Sequence, residues 1–132
     1  MSELAPQIAE VLAARPESIA AAWLFGSHAE GRARADSDVD VAVLFAQDPP
    51  RTLDGLGLDI AGDLEQVLDR PVDLVVLNRV PIDLVRVVMS SGVLIYEGES
   101  SRRIAFEVRA RADYFDLKPF LDRYREPPGR LR

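Results

Sequence analysis

The segment from Asp38 to Phe45 constrains the fold most, because aspartates alternate with apolar residues at its start. Side chains at every second position of a β-strand leave the same face, so Asp38 and Asp40 share one face of a strand here. The opposite face carries an apolar stripe that needs a core, formed by Val39, Val41, Val43 and Phe45. We therefore predict a strand over Val39–Ala46 with a core on one side and two carboxylates on the other.

The rest of the chain alternates between helical and strand-like segments. Apolar spacing and the positions of Gly and Pro predict the following elements. They are helices over 4–14, 27–32 and Leu53–Leu68, strands over Ile19–Phe25, Val72–Leu77 and Val93–Tyr96, a helix from Pro81 to Ser90, and a long C-terminal helix from Ser100 to Arg125. This alternation indicates an α/β (α+β) fold, with one mixed sheet of about four strands packed with helices.

Length and composition predict one domain over residues 1–132. The chain is 48% hydrophobic and 29% charged, as globular proteins are and disordered chains are not. No apolar run approaches the roughly 18 residues that span a membrane, and the N-terminus lacks the basic start of a secretory signal. Zero cysteines and a single histidine exclude thiolate and histidine-rich metal sites. We expect a soluble, cytoplasmic protein.

The net charge of −6 is unevenly distributed along the chain. Residues 1–100 carry 7 basic and 17 acidic side chains, whereas residues 101–132 carry 9 basic and 5 acidic ones. An acidic body argues against direct binding of nucleic-acid backbones. The basic tail is either a solvated helix or a surface that contacts a partner, a nucleotide or the acidic body. Its candidate contact residues are Arg102, Arg103, Arg109 and Arg111.

Three aspartates are candidate metal ligands. Two carboxylates held side by side repel each other unless a cation lies between them, and an all-oxygen ligand set suits Mg²⁺ or Mn²⁺. Asp73, near the start of a later strand, joins Asp38 and Asp40 if its strand pairs beside theirs. Three carboxylates can hold two metal ions about 4 Å apart, an arrangement that serves in-line phosphoryl transfer.

Gly26 and Ser27 are candidate phosphate ligands at the end of the first strand. Gly26 lets the backbone approach a ligand closely, and the amides and hydroxyl that follow can donate to phosphate oxygens at a helix N-terminus. Alone, a Gly-Ser turn or an Asp-x-Asp pair is usually just a turn or a solvated edge. Their order and spacing, together with Asp73, indicate a site for a nucleotide and metal ions, and nucleotidyl transfer uses both.

Two short motifs follow the first predicted strand, and the second motif extends into the second predicted strand: Gly26-Ser27-x-Ala29-x-Gly31 and Ser37-Asp38-x-Asp40. Together they resemble the signature of minimal nucleotidyltransferases, in the DNA polymerase β-like superfamily. The resemblance covers nearly the whole chain. Its later part, with Val93–Gly98 and Phe106–Leu117, is similar to MntA-type antitoxins of HEPN/MNT toxin–antitoxin pairs.

The resemblance implies a protein adenylyltransferase that depends on Mg²⁺ and acts as an antitoxin. It would move AMP from ATP onto tyrosine hydroxyls of a HEPN-domain ribonuclease toxin, with which it would form a hetero-complex. Gly26 and Ser27 would bind the nucleotide phosphates, and Asp38 and Asp40 would bind both metal ions. Asp73 would complete the metal site and help to activate the attacking hydroxyl.

Glu30 departs from the family pattern, which commonly has arginine at this position. An acid beside a triphosphate weakens nucleotide binding if it points inward and is harmless if it faces solvent. Glu30 and the basic tail leave open a non-catalytic antitoxin that neutralises its toxin by direct binding. A nucleotidyltransferase that acts on a small molecule is a further alternative.

Overall fold

The computed structural model describes residues 4–16, 18–29, 31, 37–48 and 54–125, with only the backbone described at 28, 54–56, 58 and 115–125. The elements of this part of the chain are α1 (Leu4–Ala13), β1 (Ile19–Phe25), α2 (Gly26–Ala29), β2 (Val39–Phe45), α3 (Asp54–Leu68), β3 (Val72–Val76), α4 (Ile82–Ser91), β4 (Val93–Glu97) and α5 (Ser100–Arg125). The α/β fold predicted from the sequence is confirmed, and β1 begins and ends at the predicted residues.

The described strands form one mixed sheet in the order β3-β2-β1-β4. β1 pairs antiparallel with both β2 and β4, whereas β2 pairs parallel with β3. A parallel pair needs a long crossover connection, and α3 provides it. The amide of Val39 donates to the carbonyl of Pro71 at 2.9 Å, so β2 and β3 begin side by side at the same end of the sheet.

One face of the sheet packs against α1 and α3. The odd-numbered residues of β2 are buried on this face among apolar side chains of both helices. α3 contributes residues spaced four apart, as a helix with one buried stripe requires; they are Ile60, Leu64 and Leu68, which are at most 6% exposed. Arg15, just after α1, forms an ion pair with Asp63 of α3. This face holds the apolar stripe of β2 that the sequence predicts.

The opposite face packs against α4 and α5. Its buried cluster joins Trp23 and Leu44 of the sheet to Val88 of α4 and Ala110 of α5. Part of the basic tail therefore packs on the body. The even-numbered residues of β2 lie on this face, so Asp38 and Asp40 share it with the two helices. No helix in the described ranges has both the length and the apolar composition that crossing a membrane requires.

Candidate active site

Two neighbouring strands bring the candidate aspartates to one end of the sheet. In the parallel pair of β2 and β3, Asp40 lies opposite Asp73, and Val39 lies opposite Val72. The expectation that the strand of Asp73 pairs beside that of Asp38 and Asp40 is confirmed. Because strand side chains alternate between faces, all three aspartates belong to the face that α4 and α5 cover.

The three aspartates differ in their surroundings. Asp38 and Asp73 are exposed, whereas Asp40 is half-buried. As the side chains stand, the described residues contain no group of three acidic, histidine or cysteine side chains close enough to hold a metal ion. The strands thus align the three backbone positions, and metal binding by their carboxylates stays a prediction.

This donor set fits Mg²⁺ or Mn²⁺ by its chemistry. Carboxylate oxygens are the ligands that these hard cations prefer. Asp38 and Asp73 are exposed, so core packing does not hold their side chains in one orientation. Asp38, Asp40 and Asp73 are the residues that would hold the cation.

Gly26 lies directly beside Asp40. Phe25, the last residue of β1, lies opposite Asp40 in the antiparallel pair with β2. Gly26 has a φ of +73°, a left-handed conformation that glycine adopts readily. A β-carbon at this position would overlap Oδ2 of Asp40 and lie 3.0 Å from its Cγ. Both the backbone conformation and the close approach therefore require glycine.

Ser27 lies in the one-turn helix α2, immediately after this contact. Its side chain is half-buried. The first amides of a helix lack acceptors within the helix, so α2 carries N–H donors beside the Ser27 hydroxyl. The candidate phosphate donors thus lie next to Asp40, and Asp73 is one strand further away. Glu30 and the side chain of His28 lie outside the described residues.

The four arginines that are candidate contact residues on the tail differ in their surroundings. Arg103 forms ion pairs with Glu97 and Glu107, and its hydrogen bonds, first to Glu97 and then to Glu107, raise the pKa of Arg103. Helical spacing could predict only the pair with Glu107, which lies four residues further along α5, because Glu97 belongs to β4.

Two more of these arginines lie near carboxylates. Arg102 is 3.7 Å from Asp48, and Arg109 is 3.4 Å from Asp113. Of the four, Arg111 alone has no ion pair within the described part of the chain. Three of the four predicted contact residues are therefore engaged with this protein's own carboxylates.

A mixed sheet that sets a Gly-Ser turn beside strand aspartates has the architecture of a nucleotidyltransferase domain. The family described as polymerase beta, nucleotidyltransferase matches residues 6–101. The chain belongs to this family. The resemblance of its two short motifs to nucleotidyltransferases is confirmed.

Similar proteins come from toxin–antitoxin systems. Protein adenylyltransferase MntA of Shewanella oneidensis is 33% identical over 97 residues, which are 73% of this chain and 66% of that protein. This chain thus spans slightly less than two thirds of the relative's length.

Two crystal structures of toxin–antitoxin complexes contain chains of the same fold. In a complex with AMP-PNP, one chain superposes with a TM-score of 0.75 at 24% identity, covering 92% of this chain and 98% of that chain. In the tri-AMPylated Shewanella oneidensis HEPN toxin in complex with MNT antitoxin, one chain superposes with a TM-score of 0.69 at 23% identity, covering 95% of this chain and 98% of that chain.

Proposed function

We propose that this protein is an adenylyltransferase that moves AMP from ATP onto tyrosine hydroxyls of a HEPN-domain toxin and thereby acts as its antitoxin. The observation that carries the proposal is the position of Gly26 and Ser27 directly beside Asp40, with Asp73 opposite Asp40 on the next strand. The similarity to protein adenylyltransferase MntA supports a protein as the acceptor.

Each part of the site has a task in this reaction. The amides of α2 and the Ser27 hydroxyl hold the ATP phosphates, and Gly26 lets them approach Asp40. Mg²⁺ bound by Asp38, Asp40 and Asp73 would offset negative charge on the phosphates. The tyrosine oxygen attacks the α-phosphorus, the bond to the β-phosphate oxygen breaks, and pyrophosphate leaves. Asp73, exposed at the start of β3, helps to activate the tyrosine hydroxyl.

The proposal is tested by incubating the protein with ATP, Mg²⁺ and a purified HEPN-domain toxin whose ribonuclease centre has been inactivated. Parallel reactions contain ATP radiolabelled at the α-phosphorus or at the γ-phosphorus. We expect the toxin to take up the α-label only, because phosphorylation would transfer the γ-label instead. Fragmentation mass spectrometry of the modified toxin should place AMP on tyrosine. Removal of divalent cations should stop the transfer, and added Mg²⁺ should restore it.

Each alternative gives a different result in the same experiment. A non-catalytic antitoxin would bind the toxin and suppress its ribonuclease activity without any transfer of label. A small-molecule nucleotidyltransferase would leave the toxin both unlabelled and unbound. Asp40→Asn is the matched control, since it removes a carboxylate of the site with almost no change in side-chain volume. Labelling by Asp40→Asn at the parent rate would contradict the assignment of the site.

A further inference from the structure

A groove runs between α4 and α5, in the helical layer that covers the carboxylate-bearing face of the sheet. It encloses about 310 Å³, a volume within the range of ligand sites in proteins. Val85 and Ala110 line it and are 4% and 7% exposed. Arg86 and Arg111 line it as well, and both residues are exposed. The groove therefore combines apolar contacts with an exposed cation on each helix.

The two arginines of the groove have no carboxylate partner among the described residues. Arg86 lies over the ring of Tyr114, with 5.0 Å between its guanidinium carbon and the ring centroid. The carboxylate that also lines the groove belongs to Glu107, which is already bonded to Arg103 at 2.9 Å. The positive charges of Arg86 and Arg111 are thus available to a ligand. Sequence reasoning missed Arg86, because nothing in α4 shows which helix it will face.

These charges contrast with the rest of the domain. Residues 1–100 carry 17 acidic and 7 basic side chains, so an acidic partner is repelled by most of the body and attracted at this groove. Complementary charge mainly accelerates association and fixes orientation. The apolar lining adds a place for one hydrophobic side chain of the same partner.

We propose that the groove between α4 and α5 docks an acidic segment of the toxin that is adenylylated. In this arrangement, carboxylates of the toxin pair with Arg86 and Arg111, and an apolar side chain contacts Val85 and Ala110. Docking at the helical layer holds the acceptor hydroxyl on the side of the sheet that carries the aspartates. The inference rests on the proposed function and identifies the surface that selects the acceptor.

The test is the double variant Arg86→Glu/Arg111→Glu, with toxin association followed by biolayer interferometry at low and physiological salt. We expect the association rate at low salt to fall by about tenfold or more, because steering by complementary charge acts on this rate. The salt dependence of the rate should also weaken. ATP affinity, measured separately by calorimetry, should stay unchanged. Both substituted residues are exposed, so the melting temperature should fall only slightly, through loss of the contact between Arg86 and Tyr114.

Two control variants separate the groove from charge in general. Arg109→Glu makes the same charge change on α5 as Arg111→Glu alone, which is tested beside it, but Arg109 is paired with Asp113 and does not line this groove. We expect it to leave toxin association nearly unchanged. Arg86→Lys/Arg111→Lys keeps both positive charges and should retain most of the association rate.

Two results would overturn the docking proposal. One is an unchanged association rate in the Arg86→Glu/Arg111→Glu protein. The other is a loss of ATP affinity with toxin association intact, which would assign the groove to the nucleotide site. The proposed function is tested separately by the labelling assay, and it fails if the parent protein transfers no AMP. If the parent transferred no AMP but the double variant still lost toxin association, the docking surface would stand without the catalytic role.

Discussion

Substitution of Gly26 by alanine tests the contact between the Gly-Ser turn and the carboxylate of Asp40. The new β-carbon would overlap Oδ2 of Asp40 and lie 3.0 Å from Cγ and 3.3 Å from Cβ of the same side chain. The Asp40 carboxylate must therefore turn away or the backbone must shift. In addition, alanine at a φ of +73° carries a left-handed backbone cost of about 1–2 kcal/mol.

Gly31 provides a control with nearly the same backbone conformation. Its φ is +74°, but a β-carbon there meets no described atom within 4 Å. Gly31→Ala should therefore show the backbone cost alone. In a domain of this size, each kcal/mol of lost stability lowers the melting temperature by about 4 °C. Gly26→Ala should lose more stability than Gly31→Ala, and the difference measures the overlap with Asp40.

Measurements of both activity and stability test the contact between Gly26 and Asp40. Moving a catalytic group by about 1 Å can cost on the order of a hundredfold in rate, so AMP transfer should fall by that order in Gly26→Ala. In an Asp40→Ala background, which removes the overlapped oxygen and Cγ and leaves only the 3.3 Å contact with Cβ, Gly26→Ala should destabilise only slightly more than Gly31→Ala does. Urea unfolding of the four proteins in this cycle measures the coupling. Equal losses of stability from Gly26→Ala in both backgrounds would refute a direct contact with Asp40.

Substitutions at four positions test the charges of the protein and the hydrogen bond proposed for Ser27. Asp38→Asn and Asp40→Asn should each abolish AMP transfer. Without metal, the melting temperature of each variant should equal or exceed that of the parent, because repulsion between carboxylates is relieved. With Mg²⁺ and ATP present, the parent should become the more stable protein, since only the parent gains stability from binding them. Ser27→Ala should lower kcat/KM for ATP by roughly three- to tenfold, as expected for one neutral hydrogen bond of about 0.5–1.5 kcal/mol, and complete loss of activity would contradict a positioning role. Asp69, just after α3, has a φ of 56°. Asp69→Gly should raise the free energy of unfolding by about 1 kcal/mol, because glycine suits a left-handed helix end and a negative charge there opposes the helix dipole. Asp69→Asn measures the contribution of the charge, and an unchanged free energy of unfolding in both variants would contradict this prediction.

Local patterns in the sequence were sufficient to predict the strands and the position of the site. The alternation in β2 predicts which face is buried, because the two-residue period of a strand does not depend on what covers it. The same spacing argument is less accurate for α3. Helical spacing also predicts Val67 on the buried face, but Val67 is 51% exposed, since the buried stripe runs through Ile60, Leu64 and Leu68 and leaves Val67 outside it.

Contacts between distant elements were beyond the reach of sequence reasoning. The amide of Phe45 donates to Asn78 Oδ1 at 2.9 Å, and Asn78 Nδ2 donates to the Phe45 carbonyl at 3.3 Å. This pair closes the loop that follows β3 onto the end of β2, yet nothing local distinguishes Asn78 from an ordinary turn residue. The pairing of Arg103 with Glu97, six residues earlier, was also not predicted, because it depends on the geometry of the short turn that joins β4 to α5.

The connectivity of the sheet explains why the candidate site lies at one end of the domain. β1 ends where β2 begins because the two strands are antiparallel, and this brings Gly26 beside Asp40. The crossover through α3 returns the chain to the same end, so β3 also begins there and Asp73 lies opposite Asp40. Three separate segments, which contain Gly26 and Ser27, Asp38 and Asp40, and Asp73, therefore lie at the same end of the sheet only when both connections form. The contacts of Asn78 with Phe45 lie at the opposite end of β2. Substitutions there should reduce the stability of the sheet and should affect the candidate site at the other end only by unfolding it.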